Sequence, residues 1–407
     1  MKSTTTRITG DPVASLDLVA LGARTGHLWR SETLTFAGVG GIRTLPVERP
    51  VDGGGVAAKL ETMAGDNELP GHPGTGPVAL GAFPFDRTAA GVLHVPDVLV
   101  ADDGEFRWMT RLSGDQDTAV AAVMEAAAQN EPAESTDLAL QPGRSATSWR
   151  DDVVAEARDR ILAGRLRKAV LARELLVNAG GPIDTARLIE RLATRFPAAT
   201  CFAIDGFIGA SPERLVSRSG RTVRACPLAG TAARSDDAGV DAANIEALRA
   251  STKDQDEHRI TIQWLLSELL PFCSYVDAEP EPSVMTMANV HHLATIVEGM
   301  LSEPAASILD LVGAVHPTPA LGGAPQAEAL QLIEELEGMD RGRYGAPVGW
   351  VDADGNGDFA VGIRSTQVTG DRATVWAGVG VVGQSEPAAE LAETQAKFRA
   401  VLGSLLS

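Results

Sequence analysis

One stretch, RATVWAGVGVVG at Arg372 to Gly383, constrains the fold more than any other: a strand-like run, then Gly378-x-Gly380-x-x-Gly383, then a helix-like run. The spelling is that of a dinucleotide-binding turn. Such a unit needs a second parallel strand after the helix, with an acidic residue about 20 positions on to hold a ribose. Only 24 residues follow Gly383, and the helix consumes most of them. The chain therefore reads against a nicotinamide or flavin fold, and its glycines need another reason.

The rest of the chain points to antiparallel sheet. Strand-like pieces such as GPVALGAFPF and GVLHVPDVLV fall in the Gly/Ala/Pro-rich residues 1–140, together with a helical DTAVAAVMEAAAQ. Residues 130–147, NEPAESTDLALQPGRSAT, read as a connector. A helix is predicted over WRDDVVAEARDRILAG, closed by Gly164, and then a strand, RKAVLARELLV, with Lys168, Val170 and Ala172 on one face. One long helix is expected over AANIEALRASTKDQDEHRITIQWLLSELL, and others over SILDLVGAVH and APQAEALQLIEELEG. Strand pairs are expected over APVGWVDADGNGDFAVGIRSTQV and RATVWAGVGVV. Helices interrupt strands without βαβ alternation, which is the pattern of an α+β fold.

Composition narrows the partners. A net charge of -19 argues against a nucleic-acid or anionic-membrane surface. The N-terminus lacks a basic segment followed by an apolar run, and no stretch reaches 18 apolar residues, so a cytoplasmic protein is expected. Cys201, Cys226 and Cys273 are odd in number and lack C-x-x-C spacing, which suggests neither a disulfide framework nor a zinc site. Only five of the 35 basic residues are lysines, and Lys168, Lys253 and Lys397 fall in the chemically richest segments. An amine can lose its proton where a guanidinium cannot.

Asp352, Asp354, Asn356 and Gly357 imitate the start of a calcium loop, but Ile363 stands where its bidentate Glu belongs, so a hairpin turn is expected. Two other acidic pairs are better candidates. Glu390, Glu393 and Lys397 share one helix face at i, i+3 and i+7, and Asp254 and Glu257 stand at i, i+3 on another helix. Each alone reads as a solvated face; converging, they suit Mg²⁺, which takes one or two carboxylates and keeps waters. Arg364, on a strand face shared with Ala360 and Gly362, is a structural ion-pair partner or a carboxylate clamp. The Gly378 and Gly380 amides, just before a helix N-terminus, can approach a carboxylate closely.

Ten segments in order resemble the chorismate-utilising enzymes, and among them the isochorismate synthases: GAFPFD, RKAVLARE, GASPERLV, PLAGTAAR, STKDQDEH, HHLATIVEG, HPTPALGG, YGAPVGWVDADGNGDFAVGIR, AGVGVVGQSEP and ELAETQAKF. The similarity is sparse before residue 140 and continuous over about 150–400, the expected catalytic core. The resemblance implies one large α+β domain, two packed antiparallel β-sheets flanked by helices, binding chorismate with Mg²⁺. It implies Glu257 and Glu393 as metal ligands, with Asp254 and Glu390 acting through water. Lys168 matches the family's base and Glu213 its acid. Gly230, His292, Ala320, Leu321, Tyr344, Arg364, Gly378, Gly380 and Lys397 match substrate-binding positions. A monomer without an amidotransferase subunit is also implied.

Branches differ at single positions. The ammonia-using relatives typically carry Gln in place of Lys168, and aminodeoxychorismate synthases commonly carry Lys in place of Ala229. Salicylate synthases, the alternative reading, resemble this chain but have Thr where Ala320 stands. Two positions count toward that alternative: Tyr344 stands where some isochorismate synthases carry Phe, and Thr231 where Ser is frequent. The expected reaction is therefore isochorismate formation, feeding menaquinone or siderophore synthesis.

Overall fold

The computed structural model describes residues 2–405 apart from 11, 49–52, 130–136 and 288–289. The described strands form one hydrogen-bonded network of 20 and a separate sheet of three. All pairings are antiparallel except that of Thr4–Arg7 with Asp66–Asn67. The larger network makes two layers because two long strands, Thr35–Val47 and Gly91–Asp102, belong to both. Their pairing shifts register between Val39 and Ile42, beside Gly40, whose φ of +86° a side chain would strain.

From these shared strands one layer runs through His27–Arg30, Thr200–Ile204, Phe207–Ser211, Ser365–Thr369 and Arg372–Val382 to Lys168–Ala179. The other runs through Val78–Ala82, Pro347–Asp352, Gly357–Val361, Arg214–Ser219 and Thr222–Cys226 to Val297–Leu301 and Cys273–Ala278. Strands from before residue 140 thus stand in both layers beside strands of the later part.

Between the layers, Trp29, Phe36, Phe202 and Phe207 of the first meet Leu80, Val348 and Trp350 of the second. Burial of each such aromatic stabilises the fold by roughly 1.5–3 kcal/mol. Helices cover the outer faces: Leu18–Thr25, Thr185–Arg195 and Pro387–Leu405 on the first layer, and Gly53–Met63, Thr252–Leu269 and Ile308–Val315 on the second. The last is opened by a capping box in which Ser307 and Asp310 satisfy each other's backbone donors.

Four expectations are revised. The long helix breaks at Ser251, whose extended backbone and side chain cap Thr252–Leu269 by accepting from the Asp254 amide at 3.2 Å, which puts Asp254 and Glu257 in the first two turns. Part of the connector, Leu138–Pro142, is an edge strand on Lys168–Ala179, while 130–136 lie outside the described residues. Leu228–Ala233, Val290–Ala294 and Ser283–Thr286 form the small third sheet, which the pattern of PLAGTAAR and HHLATIVEG did not announce. The run DFAVGIRSTQV is two strands, not one, because Arg364 turns the chain with φ +50°.

The acidic loop is the expected hairpin: the Asp352 carboxylate accepts from Gly74, Asp354 and Asn356 amides and from Asn356 Nδ2. All three cysteines are free. No described helix is long and apolar enough to cross a membrane.

Candidate active site

A cavity of about 270 Å³ lies between the strands Lys168–Ala179 and Arg372–Val382, the small sheet, and the helices Thr252–Leu269 and Pro387–Leu405. Every site residue named above except Lys168 lines it: Glu213, Gly230, Asp254, Glu257, His292, Ala320, Leu321, Tyr344, Arg364, Gly378, Gly380, Glu390, Glu393 and Lys397. Lys168, only 3% exposed, joins them through Glu257, whose Oε1 accepts from its Nζ at 2.6 Å.

The glycines of the opening motif acquire their reason here, and it is not a helix dipole. Gly378 and Gly380 lie inside the strand Arg372–Val382, and the helix begins only at Pro387. A Cβ on Gly380 would stand 2.8 Å from Lys168 Cε, so the lysine keeps this position only over a glycine and would have to shift over any other residue. A Cβ on Gly378 would approach the Tyr344 hydroxyl at 3.1 Å.

Gly378 and Gly380 face Ala172 and Val170 across the ladder. Ala172 donates its N–H to Glu337 and accepts from Trp149 Nε1, and Val170 donates to Gly322 and accepts from Arg341. Both are therefore at non-hydrogen-bonded ladder positions, and their partners must turn N–H and C=O away as well. The Gly378 carbonyl accordingly accepts from Lys397 Nζ at 2.9 Å.

Arg364 and His292 form a second group. Arg364 Nη2 donates to His292 Nε2 at 3.2 Å, and His292 Nδ1 donates to the Gly230 carbonyl at 3.0 Å, so both contacts fix the Nδ1–H tautomer. Burial, reinforced by the Arg364 charge, drives the His292 pKa down to about 3 and keeps it neutral. Arg364 Nη1 is buried with no partner. Burial lowers the guanidinium to about 10, leaving it cationic at neutral pH. A buried cationic donor aimed at an open cavity calls for an anion.

Glu213 is the opposite case. Burial pushes its pKa up to about 8, against the opposing pull of Lys168, the Leu228 amide and Lys397. At pH 7 it is a neutral carboxyl, and its Oε1 has no partner. It is poised to donate a proton.

The four acidic residues come from two helices into one cavity, as their spacing suggested. Gly230, at φ +70°, admits Asp254: a Cβ there would lie 3.0 Å from that of Asp254. Glu393 Oε1 holds Lys397 Nζ at 2.7 Å, as Glu257 holds Lys168. Among the described residues no group of three or more His, Cys, Asp or Glu stands at metal-binding distance. An all-carboxylate donor set nevertheless suits a hard ion that needs only one or two carboxylates besides water and substrate. The residues fit Mg²⁺ in kind.

Trp376 and Ile363 also line the cavity, and the sequence reading assigned neither to the site. Trp376 stacks on Tyr344 with ring centroids 6.0 Å apart. Period-two alternation puts Trp376 on one strand face with Gly378 and Gly380, a signal that was available. Thr231, read only as a departure from Ser, places its hydroxyl 3.2 Å from His292 Nδ1.

The chain itself matches a known class. The family model for chorismate binding enzymes covers residues 2–406, and the chain belongs to that family. Its relatives include the isochorismate synthase MenF of Bacillus subtilis, 35% identical over 358 residues that span 82% of this chain and 76% of that protein. The isochorismate synthase EntC of Escherichia coli K12 is 32% identical over 331 residues, 80% of each chain. The structure of MenF, the menaquinone-specific isochorismate synthase from Escherichia coli, shares the fold with a TM-score of 0.82 at 24% identity, covering 100% of this chain and 95% of that one.

Proposed function

We propose that the chain is an Mg²⁺-dependent isochorismate synthase, adding water at C2 of chorismate while the C4 hydroxyl departs and the ring double bonds shift. One observation carries the reading: a single cavity holds a partnerless buried guanidinium nitrogen on Arg364 and a buried neutral carboxyl on Glu213, with Lys168 adjoining through Glu257. The relatives named as isochorismate synthases support it.

Chorismate is a dicarboxylate, and Arg364 and Lys397 are the cations that meet its carboxylates. Tyr344, Leu321 and Trp376 supply apolar walls for the ring. Water is a poor nucleophile and hydroxide a poor leaving group, so the reaction needs a base and an acid. Lys168, as the neutral amine left once its ammonium has given up a proton and released Glu257, takes the proton of the attacking water. Glu213 gives its proton to the departing C4 oxygen. Mg²⁺, held by Glu257 and Glu393 with Asp254 and Glu390 acting through water, would offset carboxylate charge in the cavity. Ala320 lines the cavity without the hydroxyl that the salicylate synthases bear there, which favours release of isochorismate over pyruvate elimination.

The test is product analysis. Purified protein incubated with chorismate and Mg²⁺ should yield isochorismate without pyruvate, and chelator should abolish it. Salicylate with equimolar pyruvate would move the chain to the sister activity, and absence of turnover in both conditions would refute the reading.

A further inference from the structure

Behind the cavity, between two residues that have been assigned no role above, lies a buried ion pair. Glu337 and Arg341 are 2% and 3% exposed, and Arg341 Nε donates to Glu337 Oε2 at 2.9 Å. Arg341 Nη2 donates to Glu337 Oε1 as well, and the hydrogen bonds the two side chains make outside the pair go to backbone. Arg341 Nη1 donates to the Leu321 carbonyl at 3.0 Å and Nη2 to the Val170 carbonyl at 2.6 Å. Glu337 Oε1 accepts from the Ala172 amide at 2.6 Å. The Arg341 carbonyl accepts from the Tyr344 amide at 2.8 Å. The guanidinium also lies over the Phe85 ring, 4.3 Å from its centroid.

Two of the partners, Leu321 and Val170, line the cavity, and so does Tyr344. Val170 and Ala172 oppose Gly380 and Gly378. An antiparallel ladder has two phases, and the residue whose polar groups point outward decides which pairs are unbonded. The pair holds the Ala172 N–H and the Val170 C=O outward, as Trp149 and Gly322 hold the other polar groups of these residues, in the phase that leaves the Gly378 carbonyl to Lys397. Stability does not explain such a pair, since apolar residues of similar volume often serve as well in a core.

We propose that Glu337 and Arg341 are positioning residues that set the strand phase and the apolar wall of the substrate cavity. The proposal rests on the reading of that cavity as a chorismate site. Its test compares wild type with the doubly substituted Glu337→Leu/Arg341→Met, which removes both charges at once, and with Arg341→Lys, which keeps the charge but not the fork. The double variant should melt cooperatively, raise KM for chorismate at least tenfold and change kcat less than threefold. Arg341→Lys should raise KM at least threefold, and it decides the matter if the double variant does not fold. KM within twofold of wild type, or a fall in kcat with KM unchanged, overturns the proposal.

Two further readouts separate this from failure of the functional reading. If wild type binds chorismate but forms no isochorismate, calorimetric affinity replaces KM, with the same tenfold expectation and the same overturning result. If it does neither, amide exchange at Ala172 decides: at least tenfold faster in the double variant, or threefold in Arg341→Lys should the double variant not fold, supports the clamp, and unchanged exchange refutes it.

Discussion

Lys168 Nζ lies 2.6 Å from Glu257 Oε1, so the residue read as the base and one read as a metal ligand are partners in a single ion pair. A second pair repeats the arrangement, with Lys397 Nζ 2.7 Å from Glu393 Oε1. Each lysine offsets a carboxylate that would otherwise stand beside other acids in a partly dry cavity.

Lys168→Ala should abolish isochorismate formation while leaving the protein folded. Removing one member of a buried pair costs about 3–5 kcal/mol, less here because Glu257 retains 16% exposure. If Mg²⁺ occupies Glu257, the melting temperature of the variant should rise more with added Mg²⁺ than that of wild type. A scanning calorimetry series with and without the ion checks this, and equal shifts would count against Glu257 as a ligand.

Glu213→Gln should likewise stop turnover with folding intact. The carboxyl must be protonated to act, and its pKa is raised to about 8, so kcat/KM should fall as pH rises through that value. The sign for stability follows from the same shift. A carboxyl whose folded pKa exceeds its ordinary 4.5 contributes stability below that value and loses it as pH climbs toward 8. The melting temperature of Glu213→Gln should therefore decline less between pH 5 and pH 8 than that of wild type; parallel decline would contradict the assigned shift.

Arg364→Gln should weaken chorismate binding by about 2–3 kcal/mol, the scale of a hydrogen bond to a charged group, with most of the loss in KM. Steady-state kinetics on the purified variant measure it. A KM unchanged within a factor of two would mean that the partnerless Nη1 does not meet the substrate.

Gly380→Ala should lower kcat at least tenfold, because its Cβ would stand 2.8 Å from Lys168 Cε and displace the amine. Gly54→Ala, where a Cβ meets nothing within 4 Å, is the control and should retain wild-type rates. Equal activity in the two variants would remove the steric link between Gly380 and Lys168.

Local chemistry was legible in the residues themselves. Periodicity places Glu390, Glu393 and Lys397 on one helix face, and the spacing of Asp254 and Glu257 survives the helix break at Ser251 because both residues follow it. Chain order of ten segments pointed to the family, and the family then supplied what spacing cannot, the assignment of base and acid.

What only the folded chain decided depends on contacts between distant residues. Glu213 is a neutral acid because of what buries it, and Arg364 owes its partnerless nitrogen to a backbone turn and to His292 from the small sheet. The glycines of AGVGVVG serve Lys168, Tyr344 and a ladder phase tied by Glu337 and Arg341, none of them within 30 residues in sequence. Sequence determines the period of each element and which groups can ionise, since these follow from covalent structure. Desolvation and strand phase are properties of what packs alongside, and they exist only once the layers have closed.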